Sequence, residues 1–91
     1  MKGIEMDKES VIASIRSLLI ENNYIEETCV LGADDLLEEY GFDSVSIVEL
    51  IVLLEEEHDI EFTDTDLDLN NFKSISSISE TVIQRLNDKI A

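Results

Sequence analysis

The sequence predicts an all-α fold, a small bundle of three main helices and one short one. Three observations predict it. Proline is absent and glycine occurs only at Gly3, Gly32 and Gly41, so little interrupts helix. Three segments repeat apolar residues at spacings of three and four, the period of one helical face. No segment shows the sustained alternation that a half-buried strand needs.

The first helix is expected from about Asp7 to Asn22. Val11, Ile12, Ile15, Leu18 and Leu19 form its stripe, Asp7 is its N-cap, and Asn22-Asn23 is its stop. Tyr24 to Phe42 is irregular and long for a connection in a compact domain. Val30, Leu31, Leu36, Leu37, Tyr40 and Phe42 are expected to tack it to the core, with a short helical turn at Asp34 to Tyr40. The second helix runs from Ser44 to about His58, and either Asp43 or Ser44 can cap it. Val48, Leu50, Ile51 and Leu54 are its expected core face. Glu55, Glu56 and Glu57 crowd its negative dipole end, a local cost that hints at a requirement for acidity there. Thr63 to Leu69 is read as a short helix or a turn. The last helix runs from about Ser74, its N-cap, to Asn87, with Ile75, Ile78, Val82 and Leu86 as its stripe.

Ninety-one residues make one domain, residues 1–91 with a core of about 7–88, and leave no room for a second core. There are 22 acidic residues against 6 basic ones, a formal charge of −16. Apolar residues make up 44%, too many for an acidic disordered tail. The charge opposes binding to nucleic acid, which needs Lys and Arg against phosphate. It also opposes docking on anionic lipid. No Lys or Arg lies between Arg16 and Lys73, a stretch that holds 17 of the 22 acids. Such one-signed crowding repels itself and predicts a face for basic partners. The longest apolar run, Leu50 to Leu54, is far short of the ~20 residues of a membrane span. The first ten residues, MKGIEMDKES, are polar, so no secretory leader is expected. The lone Cys29 excludes a disulfide framework within the chain and suits a reducing cytoplasm.

Asp64, Asp66 and Asp68 have the spacing that opens a calcium loop. The sixth position is Leu69 rather than glycine, and the twelfth is Ile75 rather than glutamate, so no metal site is expected. Nucleophilic catalysis needs a base within reach of the nucleophile. Ser44 and His58 lie at opposite ends of one predicted helix, about 21 Å apart at helical rise. His58 is expected to be half packed at the helix end, and Cys29 to be a packing residue. In Gly41-Phe42-Asp43-Ser44-Val45 the glycine permits a tight turn. The serine then stands at a helix N-terminus, where free N–H groups favour an attached phosphate. The plain structural reading is that Ser44 is only a cap.

The string GFDSVSIVELIVLLEEEHDIEF, Gly41 to Phe62, resembles the acyl and peptidyl carrier protein family, whose motif is Gly-x-Asp-Ser-[Leu/Ile/Val] before an acid-edged helix. Asp35 to Tyr40 resembles the family's approach loop, and Phe72-Lys73-Ser74-Ile75 the lead into its last helix. The likeness spans roughly Val11 to Leu86. It implies a carrier that catalyses nothing, with 4′-phosphopantetheine transferred from coenzyme A to Ser44 by a phosphopantetheinyl transferase and Asp43 helping to position serine and partner. It implies an acyl, aminoacyl or polyketide cargo held as a thioester and delivered to loading and condensing enzymes. Val45, Glu49, Val52 and Glu56 share one helical face and form the expected recognition stripe for basic docking patches. A cytoplasmic monomer is expected. His58, where many members carry an aromatic or aliphatic residue, and the Phe42 and Val45 variants point toward a specialised pathway, with fatty-acid synthesis left open. The alternative from another class is an acidic adaptor without a prosthetic group.

Overall fold

A computed structural model describes residues 7–90, and of Lys89 and Ile90 it describes the backbone only. The polar opening read in residues 1–6 lies outside the described residues. Three helices form the bundle: α1, Lys8–Glu21; α2, Ser44–His58; and α3, Ile75–Ile90. Two short 3₁₀ helices, Leu37–Tyr40 and Leu69–Phe72, take the place of the single short helix expected. Among the described residues there is no strand, and no helix is long and apolar enough to cross a membrane.

Local chemistry sets the helix ends. Asp7 Oδ1 accepts the Ser10 N–H at 2.9 Å and caps α1. The helix stops where Asn23 enters the left-handed region at φ 65°, and the Asn22 amide donates to the Leu18 carbonyl. Ser74 Oγ accepts the Ser77 N–H at 3.1 Å, the predicted cap of α3. α2 ends at Asp59, also left-handed at φ 54°, and the Ile60 N–H turns back to the Glu55 carbonyl. Glu55 is drawn into the fold: its Oε2 accepts the Phe62 N–H at 2.9 Å and steers the chain out of α2.

The core forms where the three stripes meet. Val11, Ile15 and Leu19 of α1, Leu50 and Leu54 of α2, and Ile75, Ile78 and Val82 of α3 are fully buried. Packing of α1 on α3 dominates the contacts between helices. Ser79 is buried in mid-α3, where its hydroxyl donates to the Ile75 carbonyl at 2.8 Å and is thereby satisfied. One sequence expectation for α2 is corrected. Val48, assigned to the core, is 59% exposed, and Ile47 is buried in its place. A residue advances about 100° around a helix. With Ile47, Leu50 and Leu54 facing inward, Val48 is therefore turned about a third of a circle away.

The long connection is pinned at few points. Leu31, Leu37 and Phe42 are buried, whereas Val30, Leu36 and Tyr40, also expected to tack it down, are exposed. Tyr24, Ile25 and Cys29 also pack partly buried against the core, and hydrogen bonds add to the anchoring. The Arg16 guanidinium donates to the Leu31 carbonyl, the Ser76 N–H to the Ala33 carbonyl at 2.8 Å, and the Leu37 N–H to the Lys73 carbonyl at 2.9 Å. The last two bonds fasten the loop to the start of α3.

In the stretch read as a helix or turn, Thr63 to Leu69, Asp64 to Asp66 form a turn and Leu69 opens the second 3₁₀ helix. Asp66, one of the three aspartates with calcium-loop spacing, is folded inward. Its Oδ2 accepts the Thr63 N–H and lies 3.0 Å from Arg85 Nε, an ionic contact without hydrogen-bond alignment. Arg85 also pairs with Asp88, and Lys8 with Glu80. Among the described residues no three or more His, Cys, Asp or Glu side chains gather as a metal site would need.

These pairs engage few of the acids, so the surface stays self-repulsive. Raising ionic strength from about 0.01 M to 0.15 M shortens the screening length from roughly 30 Å to 8 Å. The melting temperature is expected to rise over that range; an unchanged value by calorimetry would show that the acids do not strain the fold.

Candidate functional site

The site is built at the start of α2. The first 3₁₀ helix ends at Gly41, whose φ of 93° is the left-handed conformation that glycine takes without strain. The chain then drives Phe42 into the core, where its ring stacks on Tyr24 at 5.6 Å. Asp43 is extended and its Oδ1 accepts the Ser46 N–H at 2.9 Å. Bonds from the helix-end N–H and the Ser46 side chain hold the Asp43 carboxyl below its usual range. Asp43 is therefore the cap.

Ser44, the first residue of α2, is thereby released from capping. Its side chain is exposed, and no group among the described residues bonds its hydroxyl. Beside it runs a groove of about 560 Å³ walled by Leu36, Phe42, Ile47, Leu69 and Phe72, with Lys73 on its lining. An uncommitted hydroxyl at a helix N-terminus, next to a largely apolar channel, suits a phosphodiester and a flexible chain. His58 is at the other end of α2. Its ring bridges helices, Nε2 at 3.3 Å from Ser14 Oγ and Nδ1 at 3.2 Å from the Leu54 carbonyl. The hydroxyl and the imidazole are thus not brought together.

The family model described as "Phosphopantetheine attachment site" matches residues 13–82 of this chain. The chain belongs to that carrier protein family. An acyl carrier protein of Campylobacter lari is 30% identical over 57 residues, 63% of this chain and 74% of the relative. A solved structure of the Bradyrhizobium japonicum glycine:[carrier protein] ligase, complexed with its cognate carrier protein and an analogue of glycyl adenylate, contains a chain of the same fold. The superposition has a TM-score of 0.64 and 19% identity, covering 85% of this chain and 96% of that one. As a member of the carrier family this protein bears covalent 4′-phosphopantetheine and delivers what that arm holds to partner enzymes.

The four residues expected to form a recognition stripe share one exposed face of α2. Val45 is 64% and Val52 49% exposed, and Glu49 and Glu56 are exposed beside them. Val48 joins the same face, so three valines form a ridge with a glutamate edge. Glu49 is not loose: the Tyr24 hydroxyl donates to its Oε1 at 2.7 Å, which raises the Tyr24 pKa. Sequence reasoning missed Val48 and Tyr24. A strict count of 100° steps from Leu50 and Leu54 would have found the valine. Nothing local marks the tyrosine, whose ring stacks on Phe42 and whose hydroxyl reaches Glu49.

Proposed function

We propose that Ser44 Oγ is the attachment point of the 4′-phosphopantetheine arm in a single carrier domain with a core of about residues 7–88. The supporting observation is the division of labour at the head of α2: Asp43 caps the helix and leaves the Ser44 hydroxyl exposed and unbonded. The arm supplies a terminal thiol on which an acyl, aminoacyl or polyketide group is held. Ser44 anchors it, Asp43 and the helix N-terminus fix the serine's orientation, and the ridge of Val45, Val48 and Val52 with Glu49 and Glu56 greets partners. The partners are a phosphopantetheinyl transferase and the loading and condensing enzymes, each with a basic docking patch. Chemistry belongs to those enzymes, and this chain, a cytoplasmic monomer in this reading, is not itself a catalyst.

The physics of delivery supports the assignment. A tether converts an encounter in free solution into a local search at roughly millimolar effective concentration. A carrier must also leave each enzyme, and an acidic rim gives fast, steered association without great affinity. Incubation with coenzyme A and a broad-specificity phosphopantetheinyl transferase should add one arm by intact mass, mapped to Ser44 by fragmentation. Unmodified protein would sink the assignment, as would an arm mapped to Ser46.

A further inference from the structure

Four basic side chains lie among the described residues: Lys8, Arg16, Lys73 and Arg85. Lys8 is paired with Glu80, and Arg85 with Asp66 and Asp88. Arg16 is held by the Leu31 carbonyl. Lys73 has no ion-pair or hydrogen-bond partner for its ammonium among the described residues, in a chain with 22 acids. Its place is also singular. It is the lone cation on the lining of the groove that includes Ser44, where Glu38 and Asp43 supply negative charge. Its main chain is fixed, because its carbonyl takes the Leu37 N–H at 2.9 Å and so ties it to the opposing loop. Its side chain is exposed.

A phosphodiester on Ser44 adds an anion beside the Asp43 carboxylate, on a chain already at −16. The helix N-terminus offsets part of that repulsion. Resting on the Ser44 assignment, we infer that Lys73 is a positioning residue for the prosthetic group. Its ammonium pairs with the phosphodiester and turns the root of the arm toward the groove between the first 3₁₀ helix and the start of α3. A flexible lysine stem suits this task, since it supplies a mobile point charge. The contact is exposed, so it is weak and sensitive to salt, as a tether that must swing out to partners requires.

The test compares apo and holo protein. Intact mass first shows whether the arm is on Ser44; if it is not, the attachment assignment falls and this inference with it. On loaded protein, the rate of Lys73 acetylation by acetic anhydride is followed by peptide mass spectrometry, with Lys8 as the internal reference. Pairing withholds the amine, so loading should slow Lys73 about two- to fivefold, the range of an exposed ion pair, and leave Lys8 unchanged. About 1 M salt should erase the difference. In parallel, the phosphorus resonance of the holo protein should shift with salt in the wild type and in Lys73→Arg, but not in Lys73→Gln. Equal Lys73 reactivity in apo and confirmed holo protein would overturn the inference and leave the attachment site standing, as would a phosphorus resonance indifferent to Lys73→Gln.

Discussion

Ser44→Ala is expected to abolish loading of the arm while leaving the fold as stable as the wild type. The two halves of this result have separate causes. Loading is lost because the hydroxyl oxygen is the atom that would bond the phosphate, and a methyl group offers no substitute. Stability is kept because the Ser44 hydroxyl does no structural work: the Ser46 N–H is already satisfied by Asp43. Alanine is the best helix former and the position is exposed, so the change in folding free energy should stay within about 0.5 kcal/mol. Asp43→Ala should do the opposite. It removes the cap and lowers the melting temperature, yet keeps the hydroxyl and so admits some loading. Intact mass and thermal melting on the two variants measure both effects. A Ser44→Ala protein that accepts the arm would remove the assignment. One that melts well below the wild type would show that the serine, and not only Asp43, caps α2.

How much of the fold is legible in the sequence depends on whether a residue belongs to a repeat. The stripes of α1 and α3 recur at helical spacing between polar residues, so spacing alone places Val11, Ile15, Leu19, Ile78 and Val82 inside, and residue type places Asp7 and Ser74 as caps. α2 is harder because Ile47, Val48 and Leu50 to Leu54 are all apolar. The glutamates mark one edge, but within the apolar run only a count of 100° steps from Leu50 and Leu54 separates buried Ile47 from exposed Val48. The connection between α1 and α2 has no period at all. Nothing local separates Leu31, which is 1% exposed, from Val30, which is 87% exposed. At the site, Asp43 and Ser44 are readable because the chemistry is local to one turn. Lys73 is not, since only the fold returns a residue so far along the chain to the groove beside Ser44.

The wall of that groove also carries the largest expected effect on stability. Phe72 is 2% exposed and meets the Phe62 ring edge-on at 5.3 Å. It closes the second 3₁₀ helix just before the cap and stripe of α3 take over at Ser74 and Ile75, so its burial holds the loop from α2 against the bundle. Phe72→Ala removes the ring and leaves a cavity, at a cost of about 3–5 kcal/mol, part of it the aromatic pair. A domain of this size has roughly 5–14 kcal/mol in all, and the acidic surface already draws on that margin. The variant should therefore melt more than about 10 °C below the wild type, and salt, which screens charge but fills no cavity, should not restore the difference. Leu69→Ser, in the same short helix but 71% exposed, should change stability by no more than about 0.5 kcal/mol. Calorimetry on the pair separates burial from mere membership of that helix. If Phe72→Ala melted with the wild type, the second 3₁₀ helix would not be docked, and the groove beside Ser44 would lose the wall on which both the arm's path and the position of Lys73 depend.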